Sequence, residues 1–367
     1  MGTQPWIHIT GAFATVALDS PGEFVVAFPI SILGSSQRPT ARDENQEIPM
    51  VAAIKPGWSK PAAILFASEI PVNEKAFGFA VAEAAEFGAD LILFHVYYAP
   101  EADSSPRSGP RYYNYTEARA EKLHLEPFAQ RARNLGIRCR IVVRPGSAAD
   151  EILTFLSGRK IDRVVIGAHS PGPIGKLLVG SVAEAVLRNA NVPVTIVSPY
   201  VVEGAYRKSA TRTILCSAGT RESRRVVASF AAELAARHEA SLILQHVIPP
   251  QESAEVLAGR TLDQIENELL SLIPVRFQDK VDVRTRAVLG DPTEELLYQG
   301  RSQSANLIVM GAQRASQFAA ATRAGIIYKV LAYAQCPVIT LSPIVLAECG
   351  ATKHQPRLSV SSMAGVF

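Results

Sequence analysis

The chain has 367 residues, of which 48% are hydrophobic and 19% are charged. A chain of this length is expected to form about two domains. Its 37 basic residues are nearly balanced by 34 acidic residues, and it contains no run of five or more like charges. Because a nucleic-acid surface normally shows a clustered basic excess, we expect no nucleic-acid partner.

The cysteines and the first residues bear on the compartment. Cys139, Cys216, Cys336 and Cys349 form no CxxC pair, which argues against a zinc site and a disulfide framework and favours reduced thiols in a cytoplasmic protein. The first Lys or Arg is at position 38, so we expect no signal peptide. The apolar stretch 13–33 is interrupted by acidic residues and prolines, so we expect no membrane span.

In chain order, residues 1–59 come first, and we predict a poorly ordered extension there. Apolar runs rich in Val, Ile and Leu then alternate with helical patterns, such as the apolar stripe over 73–87. The runs lie near 62–68, 91–98, 139–145, 163–168 and 193–198. Continuous apolar runs predict strands buried on both faces of a parallel sheet.

The same pattern then occurs a second time. "LILFHV" at 91–96 returns as "LILQHV" at 242–247, and "NVPVTIVSP" at 191–199 returns as "QCPVITLSP" at 335–343. Glycines 21 residues apart also recur, as Gly146 and Gly167 in the first copy and Gly290 and Gly311 in the second. Shared order and spacing indicate an internal duplication.

The second copy is predicted to hold a helix over 221–237 and strands near 213–218, 242–248, 282–288, 306–310 and 337–342. Strand–helix alternation predicts an α/β protein with two tandem, doubly wound, Rossmann-like parallel sheets. We predict domains over 60–200 and 208–344, joined by a polar linker over 203–211. Residues 345–367 are expected to form a tail of small residues.

Helix starts are also predicted from local patterns. Asp291 precedes a proline and has a glutamate three residues on, so it is expected to cap a helix. Ser181 and Glu184 have the spacing of a capping box, which predicts Ser181 as the N-cap. Asn73 and Glu69 are both candidates to cap the helix after the first strand.

One loop is a candidate ligand site. Doubly wound sheets bind ligands at the carboxyl ends of their strands, where the winding reverses. In the first copy this place holds "GAHSPGPIGKLLVGS", residues 167–181. Small residues let the backbone approach a phosphate, and the following helix offers free N–H groups. Lys176 can add a positive charge and Ser181 a hydroxyl.

This loop resembles the ATP-binding motif of universal stress proteins, which is a glycine, two residues, a glycine, nine residues, and then glycine with Ser or Thr. Gly167 takes the first position and Ser170 stands at the second glycine, and Gly180 and Ser181 follow after nine residues. The resemblance extends over both copies. It implies the Rossmann-like fold of the adenine nucleotide alpha hydrolases.

The resemblance implies that the first copy binds an adenine nucleotide, ATP with Mg²⁺, without a metal held by side chains or a covalently bound cofactor. The implied contacts are Glu69, Val96, Gly167, Ser170, Lys176, Gly180, Ser181 and Val182. Glu69 stands where the family has an aspartate that contacts adenosine. Its carboxylate therefore reaches one methylene further.

In the second copy the positions of the motif hold Gly311, Arg314, Ala324 and Gly325, and Gly219 replaces the carboxylate. An arginine in the phosphate path predicts that this copy binds no nucleotide. The family analogy implies that the copies pack about a pseudo-twofold axis through their last strands, at 192–197 and 337–341. Each chain would then be a pseudo-dimer, and a homodimer of chains is left open.

Each candidate also has a structural interpretation. Ser181 can serve as a helix cap alone, Gly167 as a tight strand end, and Lys176 as a solvated charge. His95 and His246 recur at the end of the second strand in both copies. Because the second copy is not expected to bind nucleotide, their recurrence favours a structural role.

Three functional hypotheses follow. The sequence contains no GxSxG elbow, HExxH motif or P-loop, so we predict a nucleotide-responsive stress regulator with an unidentified protein partner and no defined catalytic reaction. A competing hypothesis is a scaffold that has lost nucleotide binding in both copies, favoured by Ser170, Pro171, Pro173 and Glu69. A third is slow ATP hydrolysis that uses Glu69 or His169.

Overall fold

The computed structural model describes residues 54–98, 115–168, 179–202, 212–219, 221–312 and 325–351. These residues belong to one compact unit of the chain. The predicted linker, residues 1–53 of the predicted extension and residues 352–367 of the predicted tail lie outside them.

The described strands form one mixed sheet. Their bounds are β1 Ala63–Ser68, β2 Asp90–Tyr97, β3 Cys139–Pro145, β4 Arg163–Gly167, β5 Val194–Val197, β6 Thr213–Ser217, β7 Ser241–Ile248, β8 Val283–Leu289, β9 Leu307–Gly311 and β10 Val338–Leu341. The order across the sheet is β3-β2-β1-β4-β5-β10-β9-β6-β7-β8. Strands are parallel within each copy. The predicted tandem, doubly wound α/β fold is therefore confirmed.

Helices cover both faces of this sheet. Their bounds are α1 Pro56–Ser59, α2 Glu74–Phe87, α3 Tyr115–Asn134, α4 Ala148–Ser157, α5 Ser181–Asn189, α6 Arg221–His238, α7 Ser253–Val256, α8 Leu262–Leu270, α9 Val275–Gln278, α10 Pro292–Ser302, α11 Ile326–Tyr333 and α12 Pro343–Ala351. One core packs α2, α3, α6 and α12 against the sheet, and the other packs α4, α5, α10 and α11. No helix within the described ranges is both long and apolar enough to cross a membrane.

The two copies meet through their last strands. β5 and β10 pair antiparallel, in contrast to the parallel pairs elsewhere. Two matching hydrogen bonds flank the pair: Ser198 Oγ donates to Ala334 O, and Ser342 Oγ donates to Ala190 O, each at 2.5 Å. The two bonds are equivalent, because Ser198 aligns with Ser342 and Ala190 aligns with Ala334. The predicted pseudo-twofold packing is therefore confirmed.

The last residues of the predicted N-terminal extension are part of the core, which corrects the expectation of poor order for 54–59. Trp58 in α1 is 3% exposed. Ser59 Oγ donates to Glu233 Oε1 of α6 at 2.7 Å. Burial of a large aromatic side chain stabilises a fold by about 3 kcal/mol, and α1 packs against α6 of the second copy.

The start of the predicted tail is also ordered. α12 places Val345 and Cys349 in the core, at 0% and 3% exposed. Lys55 Nζ lies 2.5 Å from Glu348 Oε2 of the same helix. The prediction of a tail from 345 onward was wrong for 345–351, because these residues continue a helix that packs against α6.

An arginine and a glutamate form a buried ion pair within the first copy. Arg163 at the start of β4 is fully buried and Glu83 of α2 is 4% exposed. Arg163 donates to Glu83 Oε1 and to the carbonyl of Trp58. The aligned residue of the second copy is Leu307. The pair thus joins α1, α2 and β4.

A charged cluster links the copies at the C-terminal end of α2. Glu86 Oε1 accepts from Arg212 Nη1 at 2.5 Å and from His238 Nδ1 at 2.9 Å. Burial by itself raises the pKa of Glu86, but hydrogen bonds from His238 and Arg212 outweigh it and lower the pKa from 4.5 to about 2. The ionised carboxylate therefore stabilises the folded chain.

Replacing Glu86 with glutamine is expected to lower the free energy of unfolding at pH 7 by about 2 kcal/mol. Because the folded pKa is depressed, wild-type Glu86 contributes above pH 4.5 and loses this contribution as the pH falls towards about 2. Urea denaturation across that range should show the gap between wild type and E86Q closing. Glu74→Gln is the matched control, since the Glu74 side chain is 60% exposed in its pair with Arg131; a gap of equal size for E74Q would contradict the prediction.

Candidate functional site

A cavity of about 340 Å³ lies at the carboxyl ends of β1, β2 and β4, next to the first residues of α2, α4 and α5. This is the edge at which doubly wound sheets bind ligands, and the volume lies within the usual range for small-molecule sites. Its floor is apolar and formed by Phe94, Ile152 and Ile166, which belong to the same core. The polar groups at its rim are Ser68, Glu69, Asn73, His95 and Ser181. An apolar floor with a few polar groups suits a planar base that carries a polar substituent.

The structure brings together most of the residues singled out from the sequence. Those that line the cavity are Glu69, Val96, Gly167, Gly180, Ser181 and Val182. Ser170 and Lys176 lie outside the described residues, together with His169, Pro171 and Pro173. The assignment of all eight candidates to ATP remains a prediction.

Several lining residues were not singled out as ligand contacts. The floor residues Phe94, Ile152 and Ile166 were not among the predicted contacts. Their one available signal was their place at the ends of predicted strands and at a helix start, because those ends meet at one edge of the sheet. Asn73 and His95 were given structural roles, and both also line the cavity.

Gly167 allows a close approach between β4 and the start of α2. A Cβ at Gly167 would lie 2.6–2.8 Å from Nδ2, Cγ and Cβ of Asn73. Asn73 caps α2, since its side chain accepts from the N–H of Ala76 at 3.0 Å, as predicted. The tight approach explains the glycine without reference to any ligand.

The helix after the loop begins differently from the prediction. Gly180 is the N-cap of α5 with extended backbone, and no side chain caps the helix. The prediction that Ser181 is the N-cap in a capping box with Glu184 was wrong. Glu184 Oε1 instead accepts from Arg188 at 2.8 Å and from the Tyr328 hydroxyl at 3.4 Å. The carboxylate that the capping box requires is thus bound to Arg188 and to Tyr328 of the second copy.

The start of α5 favours an anion. The first bond of the helix ladder runs from Glu184 N–H to Gly180 O at 2.9 Å. The N–H groups of Ser181, Val182 and Ala183 precede it and lie at the positive end of the helix dipole. All three residues line the cavity. Ser181 is exposed, and its hydroxyl takes no part in capping.

The recurring histidines make the same structural contact in both copies. His95 Nδ1 donates to Ser68 O, and His246 Nδ1 donates to Ala218 O, each at 2.9 Å. Burial lowers the pKa of His246, and the charge of Arg224 lowers it further. A shared bond from the second strand to the end of the first supports the structural interpretation.

The second copy differs at the equivalent edge. Arg224 Nε and Nη2 donate to the carbonyl of Gly219, at 3.3 and 3.2 Å. A guanidinium therefore lies next to the position that holds Glu69 in the first copy. The floor also changes, because the Phe94–Phe155 pair of the first copy, with ring centroids 4.9 Å apart, is replaced by Gln245 and Gln299. The loop with Arg314 and Ala324 lies outside the described residues.

Within the part of the chain that the structure describes, no group of three or more His, Cys, Asp or Glu side chains is arranged to hold a metal ion. The four cysteines are free thiols. Burial raises the pKa of Cys139 to about 11.

The fold and the cavity define a tandem Rossmann-like α/β protein with a ligand-sized cavity at the strand ends of its first copy. Residues 63–198 and residues 210–342 each match the universal stress protein family. The chain therefore belongs to the universal stress protein family and carries its domain twice.

Individual relatives agree with this assignment. The chain is 30% identical over 132 residues to a universal stress protein of Methanocaldococcus jannaschii, a match that covers 34% of this chain and 75% of the relative. It is 32% identical over 126 residues to one from Thermus aquaticus, covering 34% and 88%. A crystal structure of a universal stress protein from Archaeoglobus fulgidus has a TM-score of 0.58 at 18% identity, covering 78% of this chain and 97% of that one. At that identity, the structural likeness concerns the fold.

Proposed function

We propose that this stress-response protein binds ATP with Mg²⁺ in its first copy and that the bound nucleotide changes the surface offered to a protein partner. The observation that carries the proposal is the 340 Å³ cavity, in which an apolar floor meets the N-terminus of α5. A nucleotide has the same two parts, a planar base and an anionic phosphate chain. The family to which the chain belongs supports the stress-response role.

The described residues suggest how the ligand would be held. The base would pack on Phe94 and Ile166, and the carboxylate of Glu69 would accept hydrogen bonds from ribose hydroxyls. The phosphate oxygens would accept hydrogen bonds from the N–H groups at the start of α5. Ser170, Lys176 and the Ser181 hydroxyl would be further donors. Mg²⁺ would be held chiefly by phosphate oxygens and water, since the ion usually keeps several water ligands.

The proposed role is regulatory, without a defined catalytic reaction, in the cytoplasm. Domains over 60–200 and 208–344 would act as one pseudo-dimer, in which the second copy supports the first. The guanidinium of Arg224 beside Gly219 supports the proposal that the second copy binds no ATP.

Replacing Gly180 with tryptophan is expected to weaken ATP binding at least tenfold, or about 1.4 kcal/mol, because an indole would enter the cavity at the start of α5. The extended backbone of Gly180, with φ of −56° and ψ of 154°, accepts any side chain. Isothermal titration calorimetry in the presence of Mg²⁺ measures the change. The matched control is Gly325→Trp at the N-cap of α11 in the second copy, which should bind ATP as wild type does.

Equal heats from wild type and G180W would contradict the site. The scaffold hypothesis would be favoured if wild-type protein takes up no ATP and releases no adenine nucleotide on acid precipitation. ATP turnover that is lost in Glu69→Gln would contradict the non-catalytic role.

A further inference from the structure

Strand β3 forms the outer edge of the first copy. Among the described strands it pairs with β2 alone, and it stands at one end of the order across the sheet. None of its residues is buried. The carbonyl of Arg138, just before β3, accepts from Leu91 N–H of β2. Because backbone groups alternate in direction along a strand, those of Ile141 and Val143 point away from β2.

Exposed cations lie along this edge. They are Arg138, Arg140, Arg144, Arg159 and Lys160, and we call them the basic edge. The guanidinium carbons of Arg140 and Arg159 lie 5.8 and 5.7 Å from the centroid of the Phe155 ring, so the strand and the segment after α4 bring them to one place. Arg144 shares a face of β3 with Arg140, since side chains four residues apart on a strand point the same way.

Little negative charge opposes the basic edge. Arg138 pairs with Asp90, and the Arg138 side chain is 80% exposed there. Within the described part of the chain, no carboxylate forms an ion pair with the other four cations. A cationic surface without acidic neighbours in its own chain is complementary to an acidic surface of a partner.

The matching edge of the second copy has a different charge. Its outer strand is β8, and the positions aligned with the five cations hold Asp282, Arg284, Val288, Gln303 and Ser304. Arg284 Nη2 lies 3.1 Å from Asp282 Oδ2, and β8 adds one further cation, Arg286. Charges that protect an edge strand from aggregation would be needed equally in both copies. Edge protection therefore does not explain why the first copy is the more basic one.

We infer that the basic edge binds an acidic, extended segment of a partner protein, which adds to the sheet beside β3. The outward backbone groups of Ile141 and Val143 provide strand pairing, and the cations pair with the carboxylates of the segment. A free strand edge favours a peptide over a nucleic acid, because a nucleic acid has no peptide backbone to pair with it. The inference rests on the proposed function for the existence of a protein partner, and it does not require ATP to bind.

The test uses the full chain and a fluorescent peptide of seven residues, the length of β3. Glutamate alternates with threonine in the peptide, so that its carboxylates share one face of a strand. Fluorescence anisotropy at low salt measures the Kd. Arg140→Gln with Arg159→Gln should raise the Kd about 5-fold, since two exposed ion pairs are lost. Arg284→Gln with Arg286→Gln is the matched control, which removes the same charge from β8 and should leave the Kd unchanged.

A second variant separates binding from folding. Arg140 and Arg159 both contact the Phe155 ring, so the urea midpoint of R140Q/R159Q is measured as well. Arg144→Gln with Lys160→Gln removes two exposed cations of the same edge, and it should raise the Kd by a similar factor with an unchanged midpoint. Proline in place of the central threonine of the peptide should also weaken binding, because proline has no backbone N–H for strand pairing.

Several results would overturn the inference. Among them are equal losses in R140Q/R159Q and R284Q/R286Q, and wild-type protein that binds the peptide no more tightly than a lysine–threonine peptide of the same length. A single-stranded oligonucleotide of the same length that binds as tightly would show a surface for anions in general, and the acidic peptide would be the wrong partner. Failure of ATP to bind would remove the nucleotide part of the proposed function, while the peptide measurements would still decide the role of the basic edge.

Discussion

Replacing Arg163 with leucine should lower the free energy of unfolding by about 3–5 kcal/mol, because it leaves the buried carboxylate of Glu83 without its partner. Arg163 is fully buried and donates to both Glu83 and the carbonyl of Trp58. The variant therefore also removes the hydrogen bond that holds α1 to the first copy. Urea denaturation followed by circular dichroism measures the effect.

The second copy shows why leucine is the right replacement. Leu307 stands at the aligned start of β9 and is buried there, so the side chain suits this place in the fold. The double variant R163L/E83L should recover most of the loss, since a buried ion pair replaced by apolar groups of similar volume is often close to neutral. An R163L protein within about 1 kcal/mol of wild type would show that the pair contributes little.

Replacing Gly167 with alanine is the second large effect. The new Cβ would lie 2.6–2.8 Å from three atoms of Asn73, so the Asn73 side chain must move away from Ala76 and Ala168. We expect a loss of about 2–3 kcal/mol, from overpacking together with the lost cap. ATP binding should fall at the same time, because the displaced side chain lines the cavity.

Gly311→Ala is the matched control. The nearest atom to its Cβ would be Val227 Cγ2 at 3.1 Å, the end of a side chain that can shift. We expect a loss below about 1 kcal/mol and unchanged ATP binding. Equal losses of stability in G167A and G311A would show that the contact with Asn73 is not the cause.

Patterns within short stretches of sequence predicted the layers of the fold. The run of apolar residues predicted near 193–198 contains the strand Val194–Val197, which is buried at every position, and the stripe over 73–87 is the helix Glu74–Phe87. These elements follow from local periodicity, since a strand buried on both faces needs an apolar residue at every position. The repeat of the pattern predicted the second set of five parallel strands, and the antiparallel pair of β5 and β10 followed from family resemblance.

Contacts between distant residues decided the rest. Residues 54–59 and 345–351 have no repeat partner and little periodicity, yet Trp58 and Val345 are buried against α6. Glu184 leaves the predicted capping box because Arg188 and Tyr328 compete for its carboxylate. Arg188 lies one turn further along the same helix, whereas Tyr328 belongs to the second copy, so only the folded chain brings its hydroxyl to Glu184.

The candidate site divides in the same way. The sequence by itself predicted which strand ends would form it, because the glycine spacing and the alternation of strands and helices follow from the order of residues along the chain. The tertiary structure alone decided that Phe94, Ile166 and Asn73 line the same cavity. Their side chains come from separate elements, and the shape of a cavity depends on how those elements pack.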